Sequence, residues 1–302
     1  MDITEINIEN YPDLYAFKPR KNIKKSLAVA KALKNEKISE EIIIHFYWRV
    51  PKEFGRKQIL PIISTIVTQT QLKPKIWLWS NVDLKTNEYI KPLLPYIELK
   101  IWDPVDEIKT TEFATSGIIN SQLDDTLCWL GSDLFRLLCL YKYGGIFMDM
   151  DMVLLRDLSP LVENEFLYQW ANSGSKASKT ALMINGAIMR LKKHSKLARE
   201  FLEQLIITPV VPDSSCWGRQ VYEEVRKKNQ NWLVLPCAWF NTEWGLGLKG
   251  TFPGFKKKWF VNMYNGAFSW HWHNQWDAKI EKGSKFERIE RKMKLLLKAE
   301  NI

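Results

Sequence analysis

Residues 126–155 read TLCWLGSDLFRLLCLYKYGGIFMDMDMVLL. The first half is the clearest helical pattern in the chain. Leu130, Leu134, Leu137, Leu138 and Tyr141 recur at the three-and-four spacing of an apolar stripe. Asp124 or Asp125 stands where an N-cap belongs. Gly144-Gly145 ends the helix, because glycine takes left-handed backbone at no steric cost. A strand opens at once at Ile146. Helix, tight turn and apolar strand in direct succession are the repeating unit of an α/β sheet.

The flanks extend that unit. EEIIIHFYW (40–48) is a β-branched and aromatic run bounded by charge and by Pro51, and it reads as a buried first strand. KQILPIISTIVTQT (57–70) is long for a strand and reads as a helix with Pro61 in its first turn. KIWLWS (75–80) and IELKIW (97–102) are further strands, and residues 105–125 form a long polar connection. Downstream, ALMINGAIM (181–189) is a strand and 192–206 a helix. NWLVLPCAWF (231–240) is a strand with a proline break, and 260–277 an aromatic hairpin or loop. The expected fold is α/β, with a mostly parallel, Rossmann-like central sheet flanked by helices. Residues 1–40 form an arm and a helix, 41–278 one domain, and 279–302 a basic amphipathic helix packed on it. Phe286, Ile289, Met293, Leu296 and Leu297 share one face of that tail. Its alternative is to lie on an anionic membrane.

Composition narrows the class. Apolar residues make up 46% and charged residues 26%, an ordinary globular balance that excludes bulk disorder. The net charge of +10 favours anionic partners without choosing among them. Four cysteines without CxxC spacing argue against a zinc ribbon or a disulfide framework, and Cys128 and Cys139 fall in the apolar helix as buried thiols. The opening MDITEINIENYPDLY lacks the basic and apolar regions of a signal peptide, and no apolar run is long enough to span a bilayer. A reducing, cytoplasmic compartment is expected, with peripheral membrane contact through the tail as the variant. The 14 tryptophans are many for this length; their flat rings suit sugars and nucleobases as well as core filling.

Chemistry concentrates at Ser132-Asp133-x-x-Arg136 and Asp149-Met150-Asp151. In a regular strand Asp149 and Asp151 point to one face. Two carboxylates side by side call for a divalent cation, and Mg²⁺ and Mn²⁺ are held by carboxylates together with substrate phosphates. Asp133 and Arg136 share a helix face, and the guanidinium can fork onto a phosphate or a hydroxyl-rich group. The plain alternative is a helix salt bridge beside a solvated strand end.

The pattern S-D-x-x-R-x-x-x-L-x-x-x-G-G-I-[YF]-x-D-x-D, from Ser132 through Asp151, resembles the DxD-containing sugar-binding region of glycosyltransferases. That group includes initiating α-mannosyltransferases, α-1,4-galactosyltransferases and, more remotely, clostridial glucosylating toxins. Phe147 replaces the more usual Tyr. Close likeness covers about 125–161, with weaker likeness over 42–80. The resemblance implies a GT-A fold with the DxD motif at a strand end. It implies a nucleotide-sugar donor, a glycan or other hydroxyl acceptor, and Mn²⁺ or Mg²⁺. By the same likeness Trp48 lies against the nucleobase, and Asp133 and Arg136 hold the sugar and its phosphate side. Phe147 and Asn185 join the donor site. Asp149 touches the sugar or ribose and the metal shell, and Asp151 ligates the metal. A late H-x-W…W pattern resembles Ser269–Trp276 with its spacing off by one, and points to His271, with His273 as alternative, as a further ligand. Transfer with retention of configuration is implied, with UDP favoured over GDP. Glu243 is a candidate for acceptor hydroxyls. His45 reads as packed rather than catalytic, and His194 as exposed. The rivals are a nucleotide-sugar hydrolase using the same site and a nucleic-acid-acting protein. Against the latter, the basic residues are scattered rather than gathered in one stripe.

Overall fold

The structure is a computed structural model, and it describes residues 2–17, 20–49, 53–118, 129–172, 182–212, 216–246, 253–257 and 265–300. After the N-terminal helix α1 (Arg20–Ala32) come β1 (Ile43–Trp48), α2 (Arg56–Thr68), β2 (Lys75–Ser80), β3 (Glu98–Ile101) and α3 (Pro104–Lys109). The middle of the chain is α4 (Trp129–Tyr143), β4 (Gly145–Met148), β5 (Met152–Leu154), β6 (Phe166–Asn172) and β7 (Leu182–Leu191). Then follow α5 (Lys196–Ile207), α6 (Trp217–Lys228), β8 (Leu233–Leu235), α7 (Cys237–Phe240), α8 (Thr242–Gly245), β9 (Ser269–His271) and α9 (Lys285–Glu300).

Seven strands form one sheet in the order β3-β2-β1-β4-β7-β6-β8. β1 runs parallel to β2 and to β4, β2 to β3, and β6 to β8; β7 is antiparallel to both its neighbours. The two-residue period of β1 explains the layering. Ile44, Phe46 and Trp48 join the core beneath α2, with Leu60 and Ile63, whereas Tyr47 joins the opposite core with Leu134, Phe135 and Leu138 of α4. β4 divides likewise: Ile146 and Met148 belong to the first core and Phe147 to the second. A strand buried on both faces must be apolar or have its polar groups paired; β4 is apolar throughout, and β1 is apolar but for His45, which is hydrogen-bonded. The central, mostly parallel sheet, covered by helices and carrying a DxD motif, is consistent with GT-A architecture.

Gly144 and Gly145 have φ of 67° and 104°. A Cβ on Gly145 would stand 2.3 Å from the Ile43 carbonyl oxygen, so only glycine lets β4 approach β1 here. His45 is fully buried beside this turn. Its Nε2 lies 2.8 Å from the Gly144 carbonyl, and Trp79 Nε1 donates to its Nδ1 at 3.2 Å. It is packed and bonded, as expected, and His194 is exposed.

Several local expectations change. The apolar run after Ile146 is not one strand. β4 stops at Met148, and the Met152 N–H donates to the Asp149 carbonyl at 3.1 Å, a tight turn that sends β5 into a separate two-stranded sheet with β9. The alternating D-M-D-M imitates a strand. Pro61 lies inside α2 rather than in its first turn, because the helix already begins at Arg56. Ser64 and Thr65 hydroxyls donate to the Pro61 carbonyl there. Part of the expected connection after residue 105 is helical: α3 starts at Pro104, capped by the Asp103 carboxylate on the N–H groups of Val105 and Asp106. Pro236 ends β8 early, and Cys237–Phe240 turn into helix. β6 and α6 were not anticipated. Asp124, Asp125 and Cys128 lie outside the described residues. The tail helix α9 packs on α2, burying Phe286 and Met293 and pairing Glu290 with Arg56.

Candidate active site

A cleft opens at the carboxyl ends of β1 and β4, where α4 begins. At the end of β4 the Asp149 N–H is taken by the Ala187 carbonyl of β7 at 2.8 Å, which fixes where the turn starts. β5 then pairs antiparallel with β9, with Met152 opposite His271. That register carries His271 back beside the turn. Its Nε2 lies 3.1 Å from Asp151 Oδ1. The Asn274 N–H donates to Asp151 Oδ2 at 2.6 Å, and the Trp272 N–H to the Asp151 carbonyl at 3.1 Å. Ligand atoms of Asp149, Asp151 and His271 all lie within 4.8 Å of one another. The strand geometry expected for the two aspartates is thus replaced by a turn, with the same convergence.

Arg136 ties this turn to α4. Its guanidinium donates to the Ser132 hydroxyl at 3.0 Å and to Asp149 Oδ1 at 3.3 Å, and its Nε lies 3.6 Å from Asp133 Oδ1. The guanidinium carbon sits 4.6 Å over the Phe147 ring. Asp133 also reaches across to α6, where Oδ2 accepts the Gly218 N–H at 2.8 Å. An acidic group at a helix N-terminus is favoured by the exposed N–H groups and by the dipole.

Burial dominates the electrostatics. It raises the Asp149 carboxyl to about 7; Arg136 opposes the shift and Asp151 adds to it. Burial pushes Asp151 upward too, but the His271 ring and the Asn274 N–H outweigh it and hold the carboxyl below its ordinary value. Burial likewise lowers His273 well below the ordinary imidazole value, and His271 adds to the shift. Arg136 offsets only part of the cost of desolvating two carboxylates side by side, and a cation would supply further positive charge. Asp151 Oδ1 is buried, and the polar side-chain atom facing it is His271 Nε2 at 3.1 Å. Two carboxylates and an imidazole nitrogen this close together form a donor set that would suit Mn²⁺ or Mg²⁺.

The other expected site residues are placed as follows. Trp48 lines the cleft with its ring edge-on to Trp276, at 5.2 Å between centroids. Asn185 lines it from β7, its Oδ1 accepting the Ala187 N–H at 2.7 Å. Phe147 is buried under Arg136 and is absent from the cleft lining among the described residues. Glu243 does not reach the site: its carboxylate is buried in α8, 3.9 Å from Lys285 Nζ of α9, each side chain 1% exposed. His273 reaches the cleft beside His271, the rings stacked at 3.8 Å, and its Nε2 lies 2.7 Å from Asn241 Nδ2. Arg49, Arg219 and Tyr222 line the cleft without having been foreseen. The apolar stripe Trp217, Val221, Tyr222 and Val225 was the available signal for α6; nothing in the sequence aims Arg49 or Arg219 inward.

Residues 82–167 match the family described as glycosyltransferase sugar-binding region containing DXD motif. An uncharacterized protein of Arabidopsis thaliana is 31% identical over 100 residues, which is 33% of this chain and 14% of that protein. The match therefore spans only a small part of that relative's length. Among solved structures, the PaToxG glycosyltransferase is similar at 15% identity, over 69% of this chain and 77% of its own, with a TM-score of 0.45. The glycosyltransferase GlyE of Streptococcus pneumoniae TIGR4 is similar at 11% identity, over 86% of this chain and 63% of its own, with a TM-score of 0.49. The WbbM bifunctional glycosyltransferase gives 11% identity, 87% and 51% coverage, and a TM-score of 0.48. The fold and the Asp-Asp-His cluster are consistent with a glycosyltransferase-type metal site.

Proposed function

We propose that this chain is a metal-dependent glycosyltransferase. It moves a sugar from a nucleoside-diphosphate donor to a hydroxyl acceptor such as a glycan, with retention of anomeric configuration. The observation that carries the reading is the convergence of Asp149, Asp151 and His271 within 4.8 Å at the floor of a cleft that Arg136 also lines. Asp149, Asp151 and His271 would hold a divalent cation, Mn²⁺ or Mg²⁺. Such a cation supplies charge stabilisation to the departing diphosphate. Arg136, its guanidinium oriented by Ser132, Asp133 and Asp149, adds fixed positive charge on the α4 side. Arg49 and Arg219 line the same cleft and add to its attraction for a diphosphate. Trp48 presents an aromatic surface for the base, and Asn185 a polar group for the sugar.

Retention is supported by which carboxylates are in reach. Among the described residues the cleft is lined by three, Asp133, Asp149 and Asp151. The last two are assigned to the cation, and Asp133 is tied to the N-terminus of α6 and to Arg136. That leaves no spare carboxylate base among these described lining residues, in keeping with front-face attack in which the leaving phosphate oxygen takes the acceptor proton. UDP is favoured over GDP on the sequence likeness alone. Contact with an anionic membrane would run through the outward side of α9, where Leu295 and Leu296 are exposed among Arg291, Lys292, Lys294 and Lys298.

The test is incubation with UDP- and GDP-sugars, with and without Mn²⁺, and with and without a glycan acceptor. Metal-dependent release of nucleoside diphosphate that requires acceptor, with the donor's anomeric configuration kept in the product by NMR, is expected. Release at the same rate without acceptor would replace transfer by hydrolysis. An inverted linkage would remove the retaining mechanism.

A further inference from the structure

His271 is held from two sides. Nε2 faces Asp151, and Nδ1 lies 3.1 Å from the hydroxyl of Tyr168, a fully buried residue on β6. A neutral imidazole carries one ring proton, so its two nitrogens have opposite roles. For Nε2 to offer a lone pair to a cation, the proton must sit on Nδ1. A buried Nδ1–H needs an acceptor, and the hydroxyl oxygen of Tyr168 is within reach. With no cation, Nε2–H can turn its proton toward the Asp151 carboxylate, and Nδ1 becomes a bare acceptor. The Tyr168 O–H then donates to it. A hydroxyl serves both arrangements by rotating its proton; a carboxylate or a carbonyl could serve only one.

The neighbours do not duplicate this role. His273 stacks face-on against His271, with 26° between ring planes, so it restrains the ring's plane without bonding a nitrogen within it. The Tyr168 ring is packed against Phe240 at 5.2 Å in a strand whose partners are β7 and β8. Its hydroxyl is therefore presented from a rigid element.

We propose that Tyr168 is a positioning residue: it holds the His271 ring through Nδ1 and supplies the acceptor that the buried Nδ1–H form requires when Nε2 is offered to the cation. The proposal rests on the metal reading above. Partners of a metal-bound histidine's second nitrogen commonly change metal affinity by about 10- to 100-fold when removed.

The test uses the full chain and Mn²⁺ alone, with no donor. Tyr168→Phe keeps the ring and most of the volume. Its Mn²⁺ dissociation constant, from the free-ion EPR signal, should rise about tenfold or more, while the metal-free protein keeps its circular dichroism and a cooperative unfolding transition. Histidine ¹⁵N spectra with Mg²⁺ should show the Nδ1–H form of His271 in the parent chain and a mixture in the variant. An unchanged dissociation constant would overturn the proposal, and so would weaker binding with the parent tautomer intact. His271→Ala separates the two levels. If that variant binds Mn²⁺ like the parent, the metal reading itself falls. If it loses Mn²⁺ while Tyr168→Phe does not, only the role of Tyr168 falls.

Discussion

Gly218→Ala tests the link between α4 and α6. An ideal Cβ on Gly218 would stand 2.4 Å from Asp133 Oδ1, 2.7 Å from Cγ and 2.9 Å from Oδ2. Ordinary contact requires a retreat of about 1 Å. The carboxylate is not free to make it, because Oδ2 holds the Gly218 N–H at 2.8 Å and Oδ1 lies 3.6 Å from Arg136 Nε. Overpacking of this kind costs about 1–3 kcal/mol, and loss of a helix cap adds about 1 kcal/mol. A loss near 3 kcal/mol is therefore expected in urea unfolding of Gly218→Ala. The same substitution in an Asp133→Ala background has nothing to strike. There it should cost under about 0.5 kcal/mol, giving a coupling energy of about 2.5 kcal/mol or more in the double-mutant cycle. Donor binding, measured with Mn²⁺ present, should weaken in both single variants. A Gly218→Ala protein as stable as the parent, or one destabilised equally with and without Asp133, would refute the argument that Asp133 is wedged between the two helices.

Three other outcomes are expected. Asp151→Ala should remain folded by circular dichroism and lose metal-dependent turnover, whereas Arg136→Lys should cut turnover by roughly 10²-fold because a point charge does not reproduce the fork; full activity in either would remove the assigned role. Burial lowers His45 from 6.5 to about 4. The unfolded chain then binds the extra proton first, so stability is complete above pH 6.5 and falls by roughly 3 kcal/mol as pH drops through 4, a slope that His45→Gln should flatten in denaturation series. Lys285→Met should lower the urea midpoint by removing the amine 3.9 Å from the buried Glu243 carboxylate, and adding Glu243→Leu should recover part of the loss; equal stability of the single and double variants would count against a buried ion pair.

The sequence was most readable where one short range of residues settles both period and burial. EEIIIHFYW and KIWLWS are apolar on both faces, and only a strand buried between helix layers needs that. The helix over 129–143 is equally plain, because its stripe and its glycine stop agree. The DxD segment was misread for a definite reason. Met150 tucks into the core from a turn and Met152 from the next strand, so apolar and acidic residues alternate in sequence as in one continuous strand although Asp151 between them is also buried. Glu243 failed because polarity says nothing of depth; Lys285, distant in sequence, lets it stay buried. Asp149, Asp151 and Arg136 could be read locally. That His271 rather than His273 faces Asp151 depends on the register of β5 with β9, which no local pattern encodes.

The pairing of β5 with β9 also sets an order of assembly. The imidazole of His271 lies 120 residues after Asp151 in the chain. Chains emerge from the ribosome N-terminus first, and folding can begin before synthesis ends. A chain halted after β8 would carry Asp149 and Asp151 but neither His271 nor the Asn274 N–H that holds Asp151. The sheet and the cleft wall can form while the cation site is still incomplete. Competence to bind metal therefore comes only once β9 has been made and docks, and it comes together with the burial of Phe268, Trp270 and Trp272, which the same segment brings to the core beneath α2.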